Sequence, residues 1–147
     1  MKMYLLQIKA ILVHKWFVFV CGRKVGGIPL LNLVIHDLSK FHPSEFFVYA
    51  RKLNGGHCFD FEWTRATTLH KHRNPHHPEF WARYDGIHPM PEIYVREMVA
   101  DWMAVDMSYK NVTPFREWVR AHVPKMSLHK KTKEILCIVL AEQGLFI

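Results

Sequence analysis

The sequence predicts an all-α protein folded as one compact helical bundle, and three observations carry that expectation. The chain has 147 residues, a length that suits one hydrophobic core. Half of the residues are hydrophobic and 14% are aromatic, against an ordinary charged fraction of 22%, so a packed core is expected and disorder is not. Apolar residues recur at steps of three and four in successive segments divided by Gly, Pro and Asn, and no run alternates with the period of a strand.

From Tyr4 to Val20, the residues Leu5, Ile8, Leu12, Trp16 and Phe19 mark one helical face. The run resembles a membrane or signal segment, but Lys9, His14 and Lys15 interrupt it, and it is short of the roughly 20 residues a span needs. A buried amphipathic helix ending near Cys21-Gly22 is therefore expected. After the breaker Gly26-Gly27-Ile28-Pro29, the almost wholly apolar run Leu30 to Asp37 predicts a central helix. Pro43-Ser44 opens a third helix through Phe46, Phe47, Ala50 and Leu53, and Asn54-Gly55-Gly56 stops it.

A fourth helix is expected from Asp60 to His72, because the two prolines of Asn74-Pro75-His76-His77-Pro78 cannot continue it. Pro91 and Glu92 start a fifth through Val95, Met98, Val99, Trp102 and Val105. Pro114 to Val123 and Leu128 to Leu140 make two shorter ones. No repeat, low-complexity tract or linker interrupts the series, which predicts a single domain over 1–147.

The formal charge of +7 and pI near 9.5 favour an anionic partner, without separating a nucleotide, a nucleic acid and a phospholipid surface; a small anionic substrate is the expected one. Cys21, Cys58 and Cys137 lie far apart and are odd in number, which predicts neither a disulfide framework nor a zinc ribbon and suits a reducing, cytoplasmic setting. No membrane partner is expected. Phosphate-loop, GxSxG and HExxH motifs do not occur, removing common catalytic rivals.

The feature with most chemical content is His36-Asp37 at the polar end of an apolar run, because ionisable groups there are costly unless paired or bound to a metal. Adjacent residues of a helix point about 100° apart, so other helices must supply the opposing ligands. His14, among Val13 and Phe17, and Asp101, among Met98, Val99, Trp102 and Val105, are suitable. The alternatives are a hydrogen-bonded core role for His14 and, for Asp101, a solvated face shared with Glu97. Imidazole with carboxylate suits zinc, iron, manganese or cobalt better than calcium.

The order His14, then His36-Asp37, then Asp101 resembles the HD superfamily of metal-dependent phosphohydrolases. In that superfamily a lysine that contacts phosphate often follows the doublet three residues after its Asp, and this chain reads HDLSK from His36 to Lys40. The stretches HDLSKFHPSEF, NPHHPEFW and EMVADW also look like an uncharacterised HD-like family of phages, viruses and bacteria, over residues 14–105. The resemblance implies a bundle of the HD-domain type holding one or two divalent ions of manganese, iron, cobalt or zinc. It also implies hydrolysis of a phosphate ester, with a nucleotide favoured by the basic charge.

Members with two ions insert further histidines between the doublet and the last Asp, an interval that here holds His70, His72, His76 and His77. Of these, His70 and His77 are expected as ligands, with Asp37 bridging the two ions, while His42, His72 and His76 are expected at the rim or surface. Asp37 and Lys40 are the expected catalytic pair. Lys71 and Arg73 are the candidate substrate cations, and Trp81, with Phe80, is a candidate to stack on a base or ribose. Two other readings stay open. One is an HD-type di-iron oxygenase; the other is a non-catalytic nucleic-acid or protein-binding module. The module would need a continuous basic face, and Lys130-Lys131 with Lys133 is the one dense cluster.

Overall fold

Residues 1–109 and 113–146 are described in a computed structural model, and among them seven α-helices carry almost all of the regular structure. The order is α1 (Lys2–Val25), α2 (Leu30–Ile35), α3 (Pro43–Leu53), α4 (Asp60–Arg73), α5 (Glu92–Tyr109), α6 (Phe115–His122) and α7 (Lys130–Glu142). One short hairpin was not expected: β1 (Ala82–Arg83) pairs antiparallel with β2 (Gly86–Ile87), Ala82 opposite Ile87. Gly86, at φ 132°, supplies backbone freedom that an L side chain lacks.

The breakers act where the sequence places them for α3, α4 and α5. Pro43 sits in the first turn of α3, where its missing N–H costs nothing, and His42 Nδ1 accepts from Ser44 N at 3.3 Å. The Glu62 carboxylate accepts from the Phe59 backbone N–H at 3.0 Å and caps α4.

Helix α1 departs from expectation twice. It runs one turn past Gly22 because that glycine is a contact slot rather than a stop: a Cβ there would lie 2.3 Å from Leu33 Cδ2. The stop is Gly26, at φ 73°. The buried face of α1 is also not the predicted one. Gln7, Ile11, His14, Val18, Cys21 and Val25 point inward, whereas Leu5 is 62% and Trp16 63% exposed, and Leu12 is exposed as well. Both faces are apolar, so periodicity alone does not choose between them.

The second correction concerns α2. It is not central: only Leu33 is buried, and Leu30, Leu31, Val34 and Ile35 face outward. Six residues make less than two turns, too short a rod to be surrounded by other helices.

Helix α5 packs on α1 and on α7, and α1 packs in turn on α3, which packs on α4. Val18 and Cys21 of α1, Val95, Met98 and Val99 of α5, and Leu136, Val139 and Leu140 of α7 share one buried cluster. Fully burying each large aliphatic side chain contributes roughly 1.5–3 kcal/mol. This core fixes α5 against α1, and with them the two residues, Asp101 and His14, on which the site is built.

Candidate metal centre

His36 and Asp37 do not belong to a helix. Helix α2 stops at Ile35, His36 is extended at ψ 130°, and Asp37 is left-handed at φ 54°, ψ 24°. Asp37 is the one non-glycine with positive φ among the described residues. That conformation costs roughly 1 kcal/mol, and it turns the carboxylate inward, where each oxygen faces its own group of imidazoles.

Around Oδ2 lies the first cluster. His14 Nε2 is 3.5 Å and His36 Nε2 3.5 Å from Asp37 Oδ2, and Asp101 Oδ1 is 3.0 Å from His14 Nε2 and 3.6 Å from His36 Nε2. Around Oδ1 lies the second. His70 Nε2 is 3.3 Å and His76 Nε2 3.4 Å away, and His77 Nε2 is 3.1 Å from His70 Nε2. In each cluster the four donor atoms lie within 4.8 Å of one another, the spread expected of ligands around one ion.

Several of these atoms have nothing else to bond. His14 Nε2, His36 Nε2, His76 Nε2, Asp37 Oδ1 and Asp101 Oδ1 are buried without a hydrogen-bond partner. An unpaired buried polar atom costs about 1–3 kcal/mol, and five such atoms converge on two points, an arrangement that bound cations would satisfy. The donor set fits transition-metal ions, and Asp37 has one carboxylate oxygen in each cluster.

The far nitrogens of the same imidazoles are held by carboxylates. His36 Nδ1–H donates to Glu97 Oε1 at 2.9 Å, and His76 Nδ1 lies 3.4 Å from the same oxygen. His70 Nδ1 donates to Glu45 Oε2 at 3.1 Å. These contacts aim each Nε2 at the clusters, as outer-sphere carboxylates do for ligating histidines. His36, His76 and Glu97 also lie close enough to form a third group, but Glu97 meets only Nδ1 atoms, so it orients ligands and does not extend the clusters.

The electrostatics follow from this crowding. Burial opposes charge on His36, but Asp37, Asp101 and Glu97 outweigh it and raise the imidazole to about 9. Against the same penalty, Lys40 and His36 hold Asp37 well below the carboxylate range, and His14 and His36 do so for Asp101. Burial and the neighbouring His76 push His77 down to about 3, leaving it neutral and ready to ligate.

The sequence brings six expected ligands together here: His14, His36, Asp37, His70, His77 and Asp101. It misplaces one. His76, expected at the rim, is 2% exposed and faces both Asp37 and Glu97, because the loop turns inward after Asn74, whose Nδ2 donates to the His70 carbonyl at 2.7 Å. Glu97 is likewise buried rather than solvated; its spacing of one turn before Asp101 was the available signal. His42 and His72 are exposed as expected.

Two cavities flank the clusters and share Lys71, His77, Asp101 and Val105 in their walls. The larger, of about 600 Å³, is mainly apolar, lined by Ile87, Trp102, Phe115, Trp118 and Met126. The smaller, of about 280 Å³, holds His14, Lys40, Tyr49 and His70. Lys40, on the 3-10 turn Leu38–Phe41, reaches Asp37 Oδ2 at 2.5 Å.

Two candidate substrate residues lie elsewhere. The Arg73 guanidinium is committed to Glu45 at 2.8 Å and Ser44 at 3.0 Å. The Trp81 indole N–H donates to the Pro75 carbonyl at 2.7 Å and its ring packs by Tyr94 against the core. Trp102 and Trp118 occupy the wall where Trp81 was expected.

Residues 3–142 match the profile of a family described only as a family of unknown function, DUF5662. No curated protein and no solved structure matches the chain.

Proposed function

This chain belongs to the DUF5662 family, and from its own side chains we propose that it is a metal-dependent phosphohydrolase of the HD type. The observation that carries the reading is Asp37, strained inward so that each carboxylate oxygen faces its own set of orphaned imidazole nitrogens. His14, His36, Asp37 and Asp101 would hold one ion, and Asp37, His70, His76 and His77 the other. Bound manganese, iron, cobalt or zinc supplies Lewis acidity toward a phosphoryl oxygen and brings the pKa of a coordinated water toward neutrality.

The chain's own groups supply the rest. Lys40 lines the smaller cavity and would neutralise phosphoryl oxygens there, as would Lys71 once released from Glu79, which it meets at 2.6 Å. The larger cavity accepts the uncharged body of the ester against Trp102 and Trp118, which suits the base of a nucleotide. Glu97 and Glu45 keep the imidazoles aimed, so that little reorganisation accompanies reaction.

The test is release of inorganic phosphate from nucleoside monophosphates by protein loaded with manganese or cobalt, alongside metal content by mass spectrometry. Turnover lost in Lys40→Ala with metal content retained is the expected result. Protein that stays metal-free after incubation with all four ions removes the reading. A second reading, a di-iron oxygenase, is favoured by the three imidazoles of the second cluster. Iron bound in preference to the other ions, with a visible absorption band and no phosphate release, would select it.

A further inference from the structure

The outward faces of α1 and α2 form a surface that the metal-centre reading does not use. Leu5, Leu12 and Trp16 of α1 and Leu31, Val34 and Ile35 of α2 are all exposed. The two helices lie side by side: Lys15 Nζ donates to the Val34 carbonyl at 2.8 Å and to the His36 carbonyl, and Leu33 fills the slot over Gly22. Their apolar residues thus belong to one surface, and single soluble chains rarely leave large contiguous apolar patches uncovered.

The charge on this surface has one sign. From Met1 to His36 there is no Asp or Glu, whereas Lys2, Lys9, Lys15, Arg23 and Lys24 fall within the same stretch. Lys2, Lys9, Arg23 and Lys24 are exposed. We propose that the α1–α2 face docks this protein on an anionic lipid bilayer, apolar side chains entering the interface while the lysines and arginine meet lipid phosphates.

A second copy of the chain fits this surface poorly. An isologous contact brings like against like, and here it would oppose two cationic faces whose own stretch, residues 1–36, has no Asp or Glu to pair them. A bilayer supplies what the face lacks, namely apolar depth beneath a layer of negative charge.

The same structure decides between lying on the membrane and crossing it. Helix α1, at 24 residues, is long and apolar enough to span by length and composition. Its opposite face, however, carries Ile11 and Val18 into the core and His14 into the first cluster. Withdrawing α1 into lipid would dismantle both, so the helix lies in the plane of the interface with its inner face still on α5. The proposal departs from the expectation of no membrane partner, which rested on the interruptions at Lys9, His14 and Lys15 and on a run too short to span.

The experiment is co-sedimentation of the full chain with vesicles of phosphatidylcholine alone and of phosphatidylcholine with about one-third phosphatidylglycerol. Binding to the anionic vesicles only, weakening as salt rises, is expected. Trp16→Glu and Leu31→Glu, both at exposed positions, should each bind about tenfold more weakly with unchanged melting temperature and metal content. Lys131→Glu, a charge change on α7, should bind as the wild type does. The proposal is overturned if neither vesicle binds, or if both face variants bind like the wild type. A dimer in sedimentation equilibrium that the face variants abolish, without vesicle binding, would assign the surface to a second copy and overturn it too. None of these outcomes bears on metal binding.

Discussion

Glu97→Gln tests the link between the two clusters. Glu97 Oε1 faces His36 Nδ1 at 2.9 Å and His76 Nδ1 at 3.4 Å, and Oε2 accepts from Asn32 Nδ2 at 3.3 Å. One carboxylate therefore orients a ligand of each cluster. Despite its burial, bonds from His36 and His76 hold it down at about 2, so it is fully charged at neutral pH. Glutamine keeps the shape and removes the charge that makes both imidazoles better donors to metal. Loss of such an outer partner costs about 10–100-fold in metal affinity, or about 1.4–2.7 kcal/mol. Because Glu97 faces a histidine of each cluster, the loss should fall on both proposed ions. Glu45→Gln is the matched control, since among the cluster histidines Glu45 bonds His70 alone. Titration calorimetry with manganese or zinc, in competition with a chelator, should give two weakened constants for Glu97→Gln and one for Glu45→Gln. Two unchanged constants in Glu97→Gln, or a change in only one, would refute the shared-carboxylate argument.

Three further outcomes follow from the same geometry. His76→Ala should lower bound metal by about one ion per chain, read by mass spectrometry; unchanged stoichiometry would return His76 to the rim. In ion-free protein, the folded His36 value of about 9 lies above its unfolded 6.5, so its contribution is full below pH 6.5 and lost as pH rises through about 9. The melting temperature of ion-free protein should fall across that window, while metal-loaded protein, whose ions bind neutral imidazole, should gain; parallel curves would contradict the assignment. Gly22→Ala drives a methyl to 2.3 Å from Leu33 Cδ2, which should destabilise the fold by about 1–3 kcal/mol in urea unfolding; a neutral result would mean that α2 shifts freely.

Local chemistry made much of this protein legible in its sequence. Pro43, Asn54-Gly55-Gly56 and the prolines of residues 74–78 act through their own backbone constraints, so the helices they bound form where the sequence places them. His14, His36, Asp37 and Asp101 were recoverable because ionisable residues set in apolar runs are costly unless used. Tertiary structure decided what local chemistry leaves degenerate. Helix α1 is apolar on both sides, and packing against α5 chose the face with Ile11, His14 and Val18 over the one with Leu12 and Trp16. Loop direction, set by Asn74 on the His70 carbonyl, carried His76 inward and put a residue that reads as rim within the second cluster. Glu97 reads as an ordinary helical carboxylate until α2 and the 74–78 loop bring two imidazoles to it. In each case the deciding energy is that of a contact between residues distant in the chain, and no periodicity within one segment encodes its partner.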